Sequence, residues 1–307
     1  MKTLRKNASL RFTILFTLLA VFISCSGDIF DPELEVTTVV PEFLGNDAVT
    51  VDRRGNIYVS EFGQFAGNGG DGTSVFKITP GGEVSEFISD LSGPLGSAID
   101  RQGNFYVVNA SNGVNGEVLK IAPDGTREVL ATIEGWPAGL ALDHKNNLYV
   151  SNYLAAMVHK ITPEGELTVF ANDAKLAGGV GVDFDYKGNL IVGNFTTADI
   201  LSISPTGNVS LIATIPDIVV NGSGIGYITV VGNSIFATGI SVNKIFRVSR
   251  NGKIEEFAGT GEANSNDGLL NKASFNGPNG ITSDKRNKAI YISEFGGTRA
   301  VRKIKLY

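Results

Sequence analysis

The sequence predicts an all-β fold, a six-bladed β-propeller, and three observations predict it. One pattern recurs six times after residue 33, at a period of about 45 residues, the size of a four-stranded blade. Gly is abundant, at 38 of 307 residues, and charged residues are scarce, at 19%, as many short strands joined by tight turns require. A spare strand stands ahead of the first repeat, and the last repeat lacks one.

The pattern is plainest at residues 52–62 (DRRGNIYVSEF). It returns at 100–110, 143–153 and 185–195, and one residue longer at 284–295; residues 232–240 are a degenerate copy. Three copies open on an Asp-x-x-Gly-Asn turn (52–56, 100–104 and 185–189) and two more open on Asp143 and Asp284; Gly supplies a positive φ and Asn tolerates one. A short apolar strand precedes the Asp, as at 48–51 (AVTV) and 140–142 (LAL), and an Ile-Tyr-Val-like strand follows the turn. A variable loop leads to a third strand at 75–78, 118–121, 158–161, 200–203, 245–248 and 301–304. Pro-x-Gly turns beginning at Pro80, Pro123, Pro163 and Pro205 end four of these strands; Pro has its φ preset for the first turn position. Fourth strands are predicted at 84–87, 128–130, 167–170, 209–212 and 254–257, each in the alternating, turn-bounded form of a hairpin arm. The sixth unit has no fourth strand. Residues 34–40 (LEVTTVV) are predicted to complete it, closing a ring that leaves no long sheet edge open. A solenoid is the competing use of a repeat, and the missing and spare strands favour the ring.

Ahead of the repeats, Lys2, Arg5, Lys6 and Arg11 precede an apolar run at 12–23, interrupted only by Thr13 and Thr17, and Ser24 and Cys25 follow. A charged start, a short apolar core and a small residue at the cut describe a secretory signal peptide, and the run is short for a bilayer span. Phe22-Ile23-Ser24-Cys25 resembles a lipobox, which implies cleavage before Cys25 and acylation of its thiol; an uncleaved signal anchor is the alternative. The expected organisation is a lipoprotein signal peptide at 1–24, a tether at 25–33 and the propeller at 34–307. The expected location is the bacterial cell envelope, in the periplasm or on the outer-membrane surface, with the membrane a partner through the lipid anchor. Cys25 is the one cysteine, which excludes an internal disulfide and a Cys-based zinc site. The two histidines, His144 and His159, fall in a turn and on a third strand, which removes the usual Ser/His and Cys/His nucleophile systems. A net charge of −5 without a basic stripe argues against a nucleic-acid partner.

Residues 259–261 (GTG), Asp267-Gly268, 273–275 (ASF) and 278–281 (PNGI) resemble the NHL repeat. Units one and three also resemble the gluconolactonase and senescence-marker propellers, with phrases such as Asp-x-x-Gly-Asn-Ile-Tyr-Val. The resemblance covers essentially all of 34–307. It implies a six-bladed propeller and does not choose a function, because such propellers include protein-binding modules, lyases and sugar-lactone hydrolases.

In this strand order the fourth-to-first and second-to-third connections share one face, and a ligand is expected at its centre. The loops before the inner strands carry Asn46 and Asp47, Leu95, Ala138, Asn221 and Asn279. The resemblance to gluconolactonase-like enzymes implies metal-binding Asn and Asp in such loops, plus a Glu. Asp47 and Asn279 match, Asn221 is a third candidate, and Leu95 and Ala138 cannot ligate. The alternative is that these Asn and Asp residues serve the turns. A second set closes the second strands: Glu61, Asn109, Asn152, Asn194, Gly239 and Glu294, with Phe62, Tyr153, Phe195 and Phe295 each following one of them. A polar ring with aromatic walls suits a sugar or other hydroxylated ligand. The stronger reading is that a residue type repeated from blade to blade satisfies backbone groups. Glu61 and Glu294 break the Asn pattern and, with Asp47 and Asn279, are expected to form an acidic cluster for Ca²⁺ or another divalent cation, which wants six or more oxygens. Residues 63–74 (GQFAGNGGDGTS) read as a long loop on the same face. Trp136 reads as a core plug or a stacking ring, the core being favoured. Two functions follow. One is an envelope-anchored propeller binding a carbohydrate, protein or small-molecule ligand on its loop face. The other is a calcium-dependent, sugar-lactonase-like hydrolase.

Overall fold

The computed structural model describes residues 34–306, which form six antiparallel sheets in a closed ring; the expected signal peptide and tether, with Cys25, lie outside the described residues. From the axis outwards, blade 1 is Val49–Val51, Ile57–Ser60, Val75–Ile78 and Val84–Ile88. Blade 2 is Ser97–Ile99, Phe105–Asn109, Asn115–Ile121 and Arg127–Glu134. Blade 3 is Pro137–Leu142, Leu148–Asn152, Met157–Ile161 and Leu167–Asn172. Blade 4 is Gly179–Phe184, Leu190–Asn194, Asp199–Ile203 and Val209–Thr214. Blade 5 is Ile225–Val231, Ser234–Gly239, Lys244–Ser249 and Ile254–Ala258. Blade 6 is Pro278–Asp284, Ala289–Glu294, Val301–Lys305 and the N-terminal strand Glu35–Val40, with Gly268–Leu269 added outside it. The second blade's outer strand runs well past the predicted 128–130.

The repeated turn has a local cause. Asp52 Oδ1 accepts the backbone N–H groups of Arg54 (2.8 Å) and Asn56 (2.9 Å), while Oδ2 accepts the Asn56 amide (2.7 Å) and the Tyr58 hydroxyl (3.2 Å). Asp100 and Asp143 repeat this set. One carboxylate thus caps the turn and ties it to the second strand. Gly55 turns the chain at φ 83°, and in blade 3 Asn146 does so at 63°.

The core consists of six hydrophobic clusters, each wedged between two neighbouring blades. Around the axis the backbones themselves touch. A Cβ on Gly96, Gly139 or Gly280 would stand 2.0–2.2 Å from a carbonyl oxygen of the next blade, so only glycine fits there. Hydroxyls on the second strands relay hydrogen bonds across these seams. Gly139 N–H donates to Ser151 Oγ (2.9 Å), which donates to the Val180 carbonyl (2.6 Å). Thr238 joins Tyr227 N–H (2.9 Å) to the Asn279 carbonyl (2.7 Å), and Ser293 joins Gly280 N–H (3.0 Å) to the Asp47 carbonyl (2.5 Å).

The ring closes as the spare and missing strands predict. Val36, Thr37 and Thr38 pair with Ile304, Lys303 and Arg302, which excludes an open solenoid. Arg302 is fully buried beside this seam. Its Nη1 donates to Glu294 Oε1 and to the Ser274 carbonyl, both at 2.8 Å, and its Nη2 donates to Asp267 Oδ1 (2.9 Å) and the Asn266 carbonyl (3.0 Å). Asp267 also accepts Thr38 N–H (3.1 Å) and Thr38 Oγ1–H (2.7 Å) on the closing strand. Removing one member of a buried ion pair strands the other. Arg302→Ala is therefore expected to lower the unfolding free energy in urea by about 3–5 kcal/mol. Asp267→Asn, at the half-exposed end of the network, is expected to cost about 1 kcal/mol or less.

Candidate functional site

The two sets of connections do share one face, and the axis opens there into a cavity of about 480 Å³. Its wall is aromatic. Trp136, Tyr153 and Phe195 form one arc, with ring centroids 6.2 and 5.9 Å apart. Phe65, Phe62 and Phe295 form another, at 4.9 and 6.5 Å. All six line the cavity. Trp136 also packs on the cluster between blades 2 and 3, so it is both core and wall. The loop at 63–74 folds into a small hairpin, Phe65–Ala66 on Gly69–Gly70, and brings Phe65 to the mouth.

The floor is polar. Asp47 precedes the inner strand of blade 1 and Asn279 lies at the start of that of blade 6. Their side chains meet, Asn279 Nδ2 donating to Asp47 Oδ2 at 3.0 Å and to the Asn46 carbonyl at 3.0 Å. Asp47 Oδ1 accepts Ala48 N–H (2.8 Å) and the Tyr227 hydroxyl (2.6 Å). Tyr227 comes from blade 5. Strand register equates it with Ala48, Gly96, Gly139, Gly181 and Gly280 in the other blades. Where those residues leave the axis clear, the Tyr227 ring reaches across it to blade 1. It lines both this cavity and one of about 370 Å³ on the opposite face, so it plugs the channel between them. The signal for Tyr227 was present in the repeat: an aromatic where five units carry Gly or Ala.

The other predicted residues are placed elsewhere. Asn46 clasps Gly63 through its N–H (3.0 Å) and carbonyl (2.7 Å). Asn109 accepts Ser92 N–H (2.8 Å). Asn152 accepts Trp136 and Ala155 N–H (3.0 and 2.9 Å) and donates to the Glu134 carbonyl (2.7 Å). Asn194 accepts Thr196 N–H (2.9 Å) and donates to the Ala177 carbonyl (2.7 Å). The polar ring is therefore a set of backbone staples that holds the loops bearing the aromatic wall. Asn221 sits on an exposed turn at φ 51°, outside the cavity, because the inner strand begins later, at Ile225. Glu61 accepts Thr73 N–H (3.3 Å) within the long loop, and Glu294 faces Arg302. Of the nine binding candidates, Asp47 and Asn279 line the cavity. The expected acidic cluster of Asp47, Glu61, Asn279 and Glu294 does not assemble, because Glu61 and Glu294 are engaged by other donors. Among the described residues no three His, Cys, Asp or Glu side chains gather as metal ligands. Nor does the floor fit calcium as it stands. It offers one carboxylate, already accepting three donors, and an amide that turns its NH₂ towards it.

Burial pushes the Asp47 carboxyl up to about 6, against the pull of Tyr227, Ala48 N–H and Asn279. Burial and the facing carboxylate push Tyr227 well above the usual phenol range. Between the ordinary Asp value of 3.8 and about 6 the folded chain therefore holds a proton that the unfolded chain releases. The stability Asp47 contributes is full below that window and is lost as pH rises through it. Asp47→Asn removes this dependence. From about pH 4 to about pH 7 the unfolding free energy of the variant is expected to gain roughly 2 kcal/mol on wild type, measurable by denaturant titration at each pH.

Residues 33–172 match the family described as SMP-30/Gluconolactonase/LRE-like region. No curated protein sequence matches the chain. Among solved structures, virginiamycin B lyase from Staphylococcus aureus is 17% identical, with a TM-score of 0.62 over 89% of this chain and 99% of its own. An auxiliary nutrient binding protein from Bacteroides thetaiotaomicron is 17% identical, with a TM-score of 0.72 over 88% and 76%. A gluconolactonase from Xanthomonas campestris is 13% identical, with a TM-score of 0.66 over 90% and 91%. At these identities the likeness is one of fold. The chain is a six-bladed β-propeller whose residues 33–172 are similar to the SMP-30/Gluconolactonase/LRE-like region.

Proposed function

We propose that this propeller is a binding protein of the cell envelope, and that its loop-face cavity takes a small organic ligand or the protruding end of a carbohydrate or protein. The observation that carries this reading is the cavity itself: six aromatic side chains above a floor whose polar atoms are already paired. Apolar surface with a few placed polar groups, at several hundred Å³, is the build of a ligand site. The floor holds no histidine and no activated nucleophile of the kinds hydrolases use. The likeness in fold to an auxiliary nutrient binding protein supports it. Export and lipidation at Cys25 belong to the same proposal and rest on the pattern of residues 2–25.

The second reading is a calcium-dependent, sugar-lactonase-like hydrolase. It is favoured by the family match over 33–172 and by the meeting of Asp47 with Asn279. It requires Asp47 to exchange its three donors for the ion.

Trp136 is the one tryptophan of the chain and lines the cavity, so its emission reports occupancy. Titration with a panel of sugars and small organic molecules is expected to find a ligand that shifts Trp136 emission, with Phe195→Ala weakening it about tenfold or more. Melting temperature is expected to stay unchanged with added calcium, since an ion bound only to the native state would raise it. A rise abolished by Asp47→Ala would instead favour the hydrolase. In fractionated cells, Cys25→Ser is expected to move the protein from the membrane to the soluble fraction.

A further inference from the structure

We infer that the ligand carries a protonated amine on an apolar body, with the ammonium seated on Asp47 inside the aromatic wall. This rests on the cavity being the binding site. Among the described residues Asp47 is the one carboxylate lining it, and no Lys, Arg or His lines it, so these residues give the cavity one formal negative charge and no cation to answer it. Asp47 Oδ1 accepts two hydrogen bonds, whereas Oδ2 accepts one, from Asn279; a carboxylate oxygen has room for a second. A buried carboxylate without a counter-charge is costly, as the rise of Asp47 to about 6 reflects. A ligand cation would offset that cost.

The surroundings select the same chemistry. Six aromatic side chains ring the cavity, and a cation over an aromatic face is attracted by the ring quadrupole, most strongly by Trp. The polar groups at the floor are already engaged, which leaves Tyr153, Ser223, Ser241 and Asn276 as the other polar side chains of the lining. The Tyr227 hydroxyl is on Asp47, the Asn279 amide is on Asp47 and the Asn46 carbonyl, and Asn243 is fixed between the Gly261 carbonyl (3.1 Å) and Gly277 N–H (2.9 Å). Hydroxyls buried against that floor would lose water without finding free partners, whereas an ammonium on an apolar body needs one strong acceptor. The other titratable groups lining the cavity are Tyr153 and Tyr227. Tyr227 alone faces Asp47 by hydrogen bond, and burial keeps its proton on, so across the acid range the charge at this floor is set by Asp47.

The test uses phenethylamine and phenethyl alcohol, which share a body and differ in charge, titrated against the full propeller by Trp136 emission. At neutral pH the amine is expected to bind about tenfold more tightly than the alcohol. The preference should shrink as pH falls through about 6 and vanish in Asp47→Asn. Equal affinity for the two probes in wild type, or a preference that survives at low pH, overturns the cationic ligand and leaves the cavity standing as a site. Silence of Trp136 towards both probes overturns the cavity as an apolar site, and the inference with it. The comparison of probes and the pH series in wild type decide the matter even where Asp47→Asn fails to fold.

Discussion

The structure depends on one seam, the pairing of Glu35–Val40 with Val301–Lys305. Every hydrophobic cluster of this ring is shared by two blades, so no blade has a core of its own. Opening the circle would strip apolar cover from both blades beside the break. The seam is secured by more than ladder hydrogen bonds. Arg302, deep in blade 6, holds Glu294 on its own sheet and Asp267 outside it, and Asp267 grips Thr38 on the closing strand. A charge network buried to this degree fixes geometry more than it adds net stability. Here the geometry fixed is the register in which the first segment of the chain joins the last.

The close approach of the inner strands is the second constraint, and the site comes from its one large exception. Glycine at the axis lets one backbone rest on the next, so a ring that kept Gly or Ala at every equivalent place would be open along its axis. Tyr227 breaks the rule and places a phenol across the channel onto Asp47. A passage becomes a floored cup, and the floor acquires a buried acid. Asn152, at the end of a second strand, serves the cup from below by holding the loop of Trp136 and leading into Tyr153.

Much of the fold was legible because its causes are local and repeated. The Asp-opened turn announces itself five times, three of them as Asp-x-x-Gly-Asn, since one carboxylate and one left-handed residue suffice to build it. The closing strand was legible by subtraction, as a spare strand at one end and a gap at the other. The site was less so. Asp47 and Asn279 could be placed because loops before inner strands must reach the axis. Glu294 could not: it differs from the Asn of other blades because it answers Arg302, and nothing nearby in sequence states that pairing. Glu61 was misread for the same reason, its partner lying across a loop of irregular shape. Asn221 was misplaced because the fifth unit is degenerate and its inner strand starts later than the pattern suggests. Tyr227 carries no polar signal of the kind its neighbours do; its informative feature is bulk at a position that elsewhere holds Gly or Ala.

The polarity of the first strand has a consequence for how the molecule stands in its surroundings. Val40 runs directly into the segment that hydrogen-bonds Thr298 beside the cup, whereas Val36 pairs with Ile304, near the end of the last strand. Residue 34 therefore lies at the base of the ring and the aromatic cup at its top. The described chain thus enters at one face and opens its cup at the other, as a goblet is held by its foot and filled at its bowl.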